Sequence, residues 1–207
     1  MGRRPDPERR QALLGAVVEH LLRNGLDHVS LRTVAEDVGT SARMLVYHFG
    51  SKDELMAQAL EEARRQQRAL VTGWIAPVPG ELYSVTLRKA WAFFESEQAM
   101  QYHRLFQQLA AASREPGSPH EGFAARAVLD WLSVVQSGFV ASGLETRAAA
   151  ALATMTLATV RGLIMDLMAT GDVARTRTGC EALVELLDAR LARPRHRRAR
   201  TGTHGSA

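Results

Sequence analysis

Short hydroxyl side chains and basic side chains lie close together between Ser30 and Leu55, in the stretch SLRTVAEDVGTSARMLVYHFGSKDEL. An arginine can donate two hydrogen bonds to the O6 and N7 atoms of guanine. Serine and threonine hydroxyls suit phosphate oxygens near helix N-termini, where the helix dipole also favours negative charge. Arg43 therefore fits a base contact, and Ser41 and Thr33 fit phosphate contacts.

Other side chains in the same stretch could contribute to such a surface. Ala42 could touch a thymine methyl group, while Lys52 and His48 could each bind a phosphate. Arg43 could equally be a solvated charge, and His48 could be a histidine satisfied between helices. The candidate DNA-binding residues are Arg32, Thr33, Thr40, Ser41, Ala42, Arg43, Tyr47, His48 and Lys52.

Helix signals surround these residues and would position them. Ser30 is a good N-cap, and apolar residues at 31, 34, 35 and 38 give the following helix one buried face. Gly39 ends that helix, and Ser41 caps a third helix that Gly50 closes. The segment 51–54 (SKDE) then forms a capping box that begins a fourth helix. The pattern is a helix-turn-helix followed by a long helix.

The remainder of the chain also shows helical punctuation, and no segment predicts a strand. Glycine, proline and serine clusters divide the whole chain into nine predicted helices, three in the N-terminal unit and six in the linker and bundle, which makes the fold class all-α. We expect a helix-turn-helix domain over residues 1–50 and a linker helix with a helical bundle over 51–192. The last segment, 193–207, is basic, and we expect it to be disordered; the alternative is an auxiliary arm that binds phosphate.

Composition limits the classes of protein that fit. The chain has 207 residues, 46% hydrophobic content and a net charge of +4, which suits a globular protein with an anionic partner. A lone cysteine, Cys180, allows no internal disulfide. No phosphate loop, metal-ligand spacing or nucleophile elbow occurs, so we expect no catalysis, no cofactor and no metal site. The apolar stretch 148–157 is too short to predict a membrane span, and we expect a cytoplasmic protein.

The helix order and the motif residues resemble those of the tetracycline-repressor (TetR) family of bacterial regulators. The matching residues are Ser30 to Ala35, Gly39 to Ser41, Leu45, His48 and Phe49, and Ser51 to Leu55. The resemblance implies a homodimer that binds a near-palindromic double-stranded DNA operator, with the third helix in the major groove. It also implies a C-terminal region that binds a small-molecule effector and forms the dimer interface.

One position departs from the family. Val46 stands where the family usually has an aromatic residue, mostly tyrosine, that contacts a phosphate, and Tyr47 is its neighbour. Either that contact is lost or Tyr47 supplies it from another direction. The alternative function is a helical interaction module whose helix-turn-helix no longer reads DNA. A basic arm formed by Arg3, Arg4, Arg9 and Arg10 is a further candidate, with a frayed terminus as the alternative for the first two.

The bundle should contain an apolar pocket with a few polar groups. The candidate pocket residues are Trp91, Phe94, Tyr102, His103, Phe106, Trp131 and Met155. In a helical bundle, each of these is also a candidate for the core. The last two helices should form the dimer interface, with some of their apolar residues facing the protomer's own core. The candidate interface residues are Leu152, Ala158, Gly162, Leu163, Leu183 and Leu187.

Overall fold

The computed structural model describes residues 6–27, 29–114, 117–118 and 120–192. These residues form helices and connecting turns without a strand, so the predicted all-α class is confirmed. The helices are α1 (Pro7–Asn24), α2 (Leu31–Asp37), α3 (Ala42–Phe49), α4 (Lys52–Ile75), α5 (Tyr83–Phe94), α6 (Glu97–Ala112), α7 (Phe123–Ala141), α8 (Thr146–Thr170) and α9 (Val173–Leu191).

The predicted caps Ser30, Ser41 and Ser51 set the starts of α2, α3 and α4. Ser51 and Glu54 form the expected capping box, in which Ser51 N–H donates to Glu54 Oε2 at 2.8 Å and Glu54 N–H donates to Ser51 Oγ at 3.1 Å. Gly50, with φ of 90°, immediately precedes the box. A side chain there would overlap the Glu54 carboxylate, so the sharp turn between α3 and α4 requires glycine.

The first three helices share one core with parts of the bundle. Leu21 of α1, Leu45 of α3 and Leu55 of α4 are fully or almost fully buried together. The same cluster includes Leu105 of α6 and Phe123 of α7. The predicted division at residue 50 follows the turn in the chain, but the apolar core continues across it.

Helices α5 to α9 form the bundle, which has three smaller buried clusters. Helix α7 begins at Phe123, directly after Gly122, which takes a left-handed conformation with φ of 73°. Helix α8 is long and apolar enough to cross a membrane by length and composition alone. The side of α8 that packs against the other helices includes Ala153, Thr156 and Val160, and much of its opposite side is exposed.

Candidate nucleic-acid interface and bundle cavity

The α2–α3 unit holds one face of α3 in the core and leaves the other in solvent. Leu45 and Phe49 occupy the inner face and are at most 4% exposed. Ser41 caps the helix, its hydroxyl accepting a hydrogen bond from Met44 N–H at 3.2 Å. Arg43 is exposed and makes no hydrogen bond or ion pair with any residue in the described part of the chain. Its guanidinium is therefore available to an external partner.

Two further cations accompany Arg43 among the predicted contacts. Lys52 is exposed at the first position of α4. Arg32 is also exposed, but its Nε donates to Glu36 Oε1 at 2.9 Å. That pair is in solvent and therefore weak, so a phosphate could replace the carboxylate at small cost.

The predicted hydroxyl donors are mostly engaged in helix capping. Thr33 Oγ1 accepts from Ser30 N–H at 3.1 Å and donates to the Ser30 carbonyl at 3.0 Å, completing a capping box at the start of α2. Ser41 Oγ caps α3, and Thr40 is half-buried in the turn. Thr33 and Ser41 remain exposed, so either hydroxyl can reach a phosphate. In that contact the hydroxyl oxygen would also keep its hydrogen bond to the backbone.

His48 does not occupy the position expected for a phosphate donor. Its side chain is buried, and both ring nitrogens lack a partner among the described residues. The adjacent Tyr47 is 49% exposed and packs edge-on against the His48 ring at 5.1 Å. Ala42 is half-buried and packs against the core. His48 is therefore enclosed and Ala42 lies on the margin of the surface, and the DNA contacts of both stay predictions.

Arg10 is also placed differently from the predicted basic arm. Its Nε donates to the His48 carbonyl at 3.2 Å, and its guanidinium lies 5.0 Å from the centre of the Phe49 ring. A second guanidinium nitrogen donates to Gln58 Oε1. Arg10 therefore joins α1 to the end of α3 and to α4. Arg9 is exposed. Arg3, Arg4 and the arginine-rich segment 193–207 lie outside the described residues.

A cavity of about 180 Å³ lies within the bundle, and helices α4 to α8 form its wall. The wall is mainly apolar and rich in aromatic rings, with a few polar groups between them. Its residues are Gln67, Val71, Ile75, Leu87, Phe94, His103, Phe106, Gln107, Ala110, Phe123, Ala124, Ala127, Val128, Trp131, Val135, Thr156, Leu157, Val160, Arg161, Ile164 and Met165.

Four of the predicted pocket residues line this cavity: Phe94, His103, Phe106 and Trp131. The other three lie elsewhere, and their assignment is corrected. Trp91 is buried beside Cys180, and its indole N–H donates to Glu95 at 2.6 Å. Tyr102 is buried in the N-terminal core, where its hydroxyl donates to Gln66 at 3.2 Å. Met155 is 64% exposed on α8.

Sequence reasoning missed three polar residues of the wall, Gln67, Thr156 and Arg161. Gln67 and Thr156 each begin a run of wall residues at four-residue spacing, followed by Val71 and Ile75 in α4 and by Val160 and Ile164 in α8. A polar side chain at the head of an apolar helical stripe was the signal that could have identified them.

Burial controls the ionisation of two groups in the bundle. Desolvation, with a smaller contribution from the nearby Arg161 charge, lowers the pKa of His103 to about 4. Burial raises the pKa of the Cys180 thiol to about 12, so it stays protonated at neutral pH and is a poor nucleophile. Among the described residues, no group of three or more histidine, cysteine or acidic side chains could hold a metal ion.

The predicted interface residues of α8 and α9 differ in exposure. Ala158 and Gly162 are exposed, whereas Leu152, Leu163 and Leu183 are half-buried against the protomer's own clusters. Leu187 is only 2% exposed, so its assignment to an intermolecular surface is corrected. The most exposed large apolar residues of these helices are Met155, Met165 and Leu186.

Comparison with known proteins agrees with this architecture. Residues 13–59 match the family described as bacterial regulatory proteins, tetR family. No curated protein matches the sequence significantly. A transcriptional regulator from Rhodococcus sp. is similar in structure, with a TM-score of 0.70, 19% identity and coverage of 87% of this chain and 96% of that chain.

Two structures with more descriptive names are also similar. The multidrug binding protein EbrR, solved with imidazole, has a TM-score of 0.65 at 24% identity, over 90% of this chain and 93% of its own. NalD, the secondary repressor of a multidrug efflux pump in Pseudomonas aeruginosa, has a TM-score of 0.54 at 18% identity, over 89% and 97%. These likenesses establish the fold, and the family match shows that residues 13–59 are similar to the N-terminal segment of the tetR family of bacterial regulatory proteins.

Proposed function

We propose that the protein is a ligand-responsive transcriptional repressor of the cytoplasm, which binds a near-palindromic operator as a homodimer and is released by a small molecule. The observation that carries this proposal is the outward face of α3. Its inner face is fixed by Leu45 and Phe49, while Arg43 extends into solvent without a described partner. A rigid helix that presents an unpaired arginine is what base recognition in a major groove requires.

Exposed apolar side chains on α8 and α9 support the dimer. Met155 and Leu186 are 64% and 71% exposed, on the two helices for which the resemblance implies an interface. Exposed Ala158 and Gly162 lie on α8 and would allow a second helix to approach closely. Burial of these residues against a second copy would remove apolar surface from water.

The coupling between cavity and DNA surface is proposed to run through α4 and α6. Helix α4 contributes Leu55 to the N-terminal core and Val71 to the cavity wall. Helix α6 contributes Leu105 to the same core and Phe106 to the wall. A ligand that favours one arrangement of these helices would shift the population between two spacings of the recognition helices.

A second candidate, a helical interaction module that does not read DNA sequence, is favoured by the exposed apolar side chain of Val46. Val46 is 42% exposed, and the next residue, Tyr47, is 49% exposed. A valine cannot donate a hydrogen bond to phosphate, and exposed apolar side chains suit a protein partner.

Fluorescence anisotropy distinguishes the two candidates. The full chain is titrated into labelled DNA from upstream of its own gene and into scrambled DNA, over a series of salt concentrations. A repressor should prefer its operator by about 10³-fold or more, and Arg43→Ala should remove most of that preference. Arg126→Ala, at an exposed position of α7, is the control. Equal binding to both DNAs, unchanged by Arg43→Ala, would favour the interaction module.

A further inference from the structure

The size and lining of the bundle cavity limit what it can hold. A cavity of about 150 Å³ with an apolar lining is large enough to bind benzene, and this one measures about 180 Å³. Its wall includes the rings of Phe94, Phe106, Phe123 and Trp131. Aromatic walls favour a flat ligand, because rings pack well in offset or edge-on arrangements. The ligand should therefore be compact and built on an aromatic ring system.

Two buried polar atoms of the wall have no partner among the described residues: His103 Nε2 and Thr156 Oγ1. The threonine is unusual for its helix. Thr154 and Thr159, also on α8, each donate to the carbonyl four residues earlier, at 3.1 and 2.9 Å, whereas Thr156 does not. A buried polar atom left unpaired is costly and rare. Both atoms are therefore available to a polar group on a bound molecule.

The charge of the cavity wall determines which charge the polar group of a bound ligand should carry. Of the described residues that line the cavity, Arg161 alone carries a formal charge at neutral pH, and none is aspartate or glutamate. Arg161 makes no hydrogen bond or ion pair with the described residues, and its charge acts on His103. A cationic ligand would meet an arginine without a compensating carboxylate, whereas an anionic ligand would pair with it.

We propose that the cavity binds a compact aromatic carboxylate. The carboxylate lies at the Arg161 and His103 end, accepting hydrogen bonds from the guanidinium and from His103 Nε2–H. The ring packs among the phenyl and indole side chains, and Thr156 Oγ1 bonds a second polar substituent where one is present. This inference rests on the proposal that the cavity is the effector site.

Three probes of nearly equal shape test the charge assignment: 2-naphthoate, 2-naphthamide and (2-naphthyl)methylammonium. Each is titrated calorimetrically into the full-length protein at pH 7. Because hydrogen bonds to charged groups are stronger than neutral ones, 2-naphthoate should bind about tenfold or more tightly than the amide. The ammonium probe should be the weakest of the three. An amide that binds as tightly as the acid, a cation that binds tightest, or no binding by any probe would overturn the proposal.

Substitutions at two arginines of α8 locate the interaction. Arg161→Gln should reduce 2-naphthoate affinity by about tenfold or more, with little effect on the amide, and Arg161→Lys should recover part of the loss. Arg147→Gln is the control, because Arg147 is exposed on the same helix and does not line the cavity. Equal effects of Arg161→Gln and Arg147→Gln would overturn the assignment. If naphthoate binds in the expected order but never releases operator DNA, the ligand class stands and the regulatory role fails.

Discussion

Gln108 of α6 accepts a hydrogen bond from the backbone N–H of Leu26 at 2.8 Å, which joins the bundle to the turn between α1 and α2. The same amide donates from Nε2 to Asp27 Oδ2 at 3.1 Å. The preceding residue, Gln107, lines the cavity. Adjacent residues of one helical turn therefore contact the proposed ligand site and the DNA-binding unit, and a small rotation of α6 would move both.

Gln108→Ala should destabilise the protein. The substitution leaves the part-buried Leu26 N–H without its acceptor, and an unsatisfied buried donor costs about 1–3 kcal/mol. Chemical denaturation at one fixed protein concentration measures the loss. Gln98→Ala, at an exposed position at the start of α6, should leave the free energy of unfolding nearly unchanged. If both substitutions have the same small effect, the α6 bridge contributes nothing to stability.

Local sequence signals predicted the helix-turn-helix well because capping is decided by neighbours in the chain. The Ser51–Glu54 box and the Ser30 cap each depend on residues three apart, so they could be read from the sequence. Thr33 was predicted to contact a phosphate and its role in the cap was missed, because a threonine in that position can do either. Only the three-dimensional structure shows that its hydroxyl closes the cap.

The pocket was harder to predict because α6 is apolar on two faces. Tyr102 turns toward the N-terminal core, while His103 and Phe106 line the cavity. Helical periodicity distinguishes the buried face of a helix from its exposed face. It does not indicate which neighbouring helix each part of a wide apolar face contacts. The same limit explains Leu187, which has the apolar character of an interface residue but is buried within the protomer.

Lys52→Ala should weaken DNA binding about equally on all sequences. Lys52 is exposed at the N-terminus of α4, where a cation gains nothing from the helix dipole and fits a phosphate contact. In the proposed dimer the substitution removes one phosphate contact from each protomer, so the magnitude of the slope of log K against log salt concentration should fall by about 1.8. Lys89→Ala is a suitable control, because Lys89 is on α5 and pairs with Glu81 at 2.9 Å. Unchanged slopes in both variants would exclude Lys52 from the DNA surface.

His103 should make the stability of the protein depend on pH in mildly acidic solution. Its pKa is about 4 in the folded protein, below the ordinary value of 6.5, because burial disfavours the charged form. The unfolded chain therefore binds a proton first as the pH falls. The contribution of neutral His103 to the free energy of unfolding is therefore fully present above pH 6.5, and it is lost progressively as the pH falls to about 4.

Comparison of the wild type with His103→Gln isolates this contribution from the other titrating groups. Glutamine does not ionise, so the wild type should lose roughly 3 kcal/mol more than the variant between pH 6.5 and 4. Denaturation curves recorded at several pH values measure the difference. Parallel pH profiles for the two proteins would mean that His103 ionises with similar ease in the folded and unfolded chains.

The proposed dimer can be tested with residues of matched exposure. Met155 on α8 and Leu129 on α7 are each 64% exposed, and Leu186 on α9 is 71% exposed. If α8 and α9 form the interface, Met155→Glu and Leu186→Glu each place an unpaired charge in an apolar contact. Each substitution occurs on both protomers, so losing a contact worth about 2 kcal/mol on each raises the dissociation constant by about 10³-fold.

Sedimentation velocity over a range of protein concentrations measures that shift, with Leu129→Glu as the control for adding a charge. We expect the α8 and α9 variants to dissociate at concentrations where the wild type and Leu129→Glu remain dimeric. Because all three substitutions replace an exposed apolar side chain, none should disturb the folded protomer, which circular dichroism checks. Dissociation by Leu129→Glu alone would place the interface on α7, and a wild type that sediments as a monomer throughout would exclude the dimer.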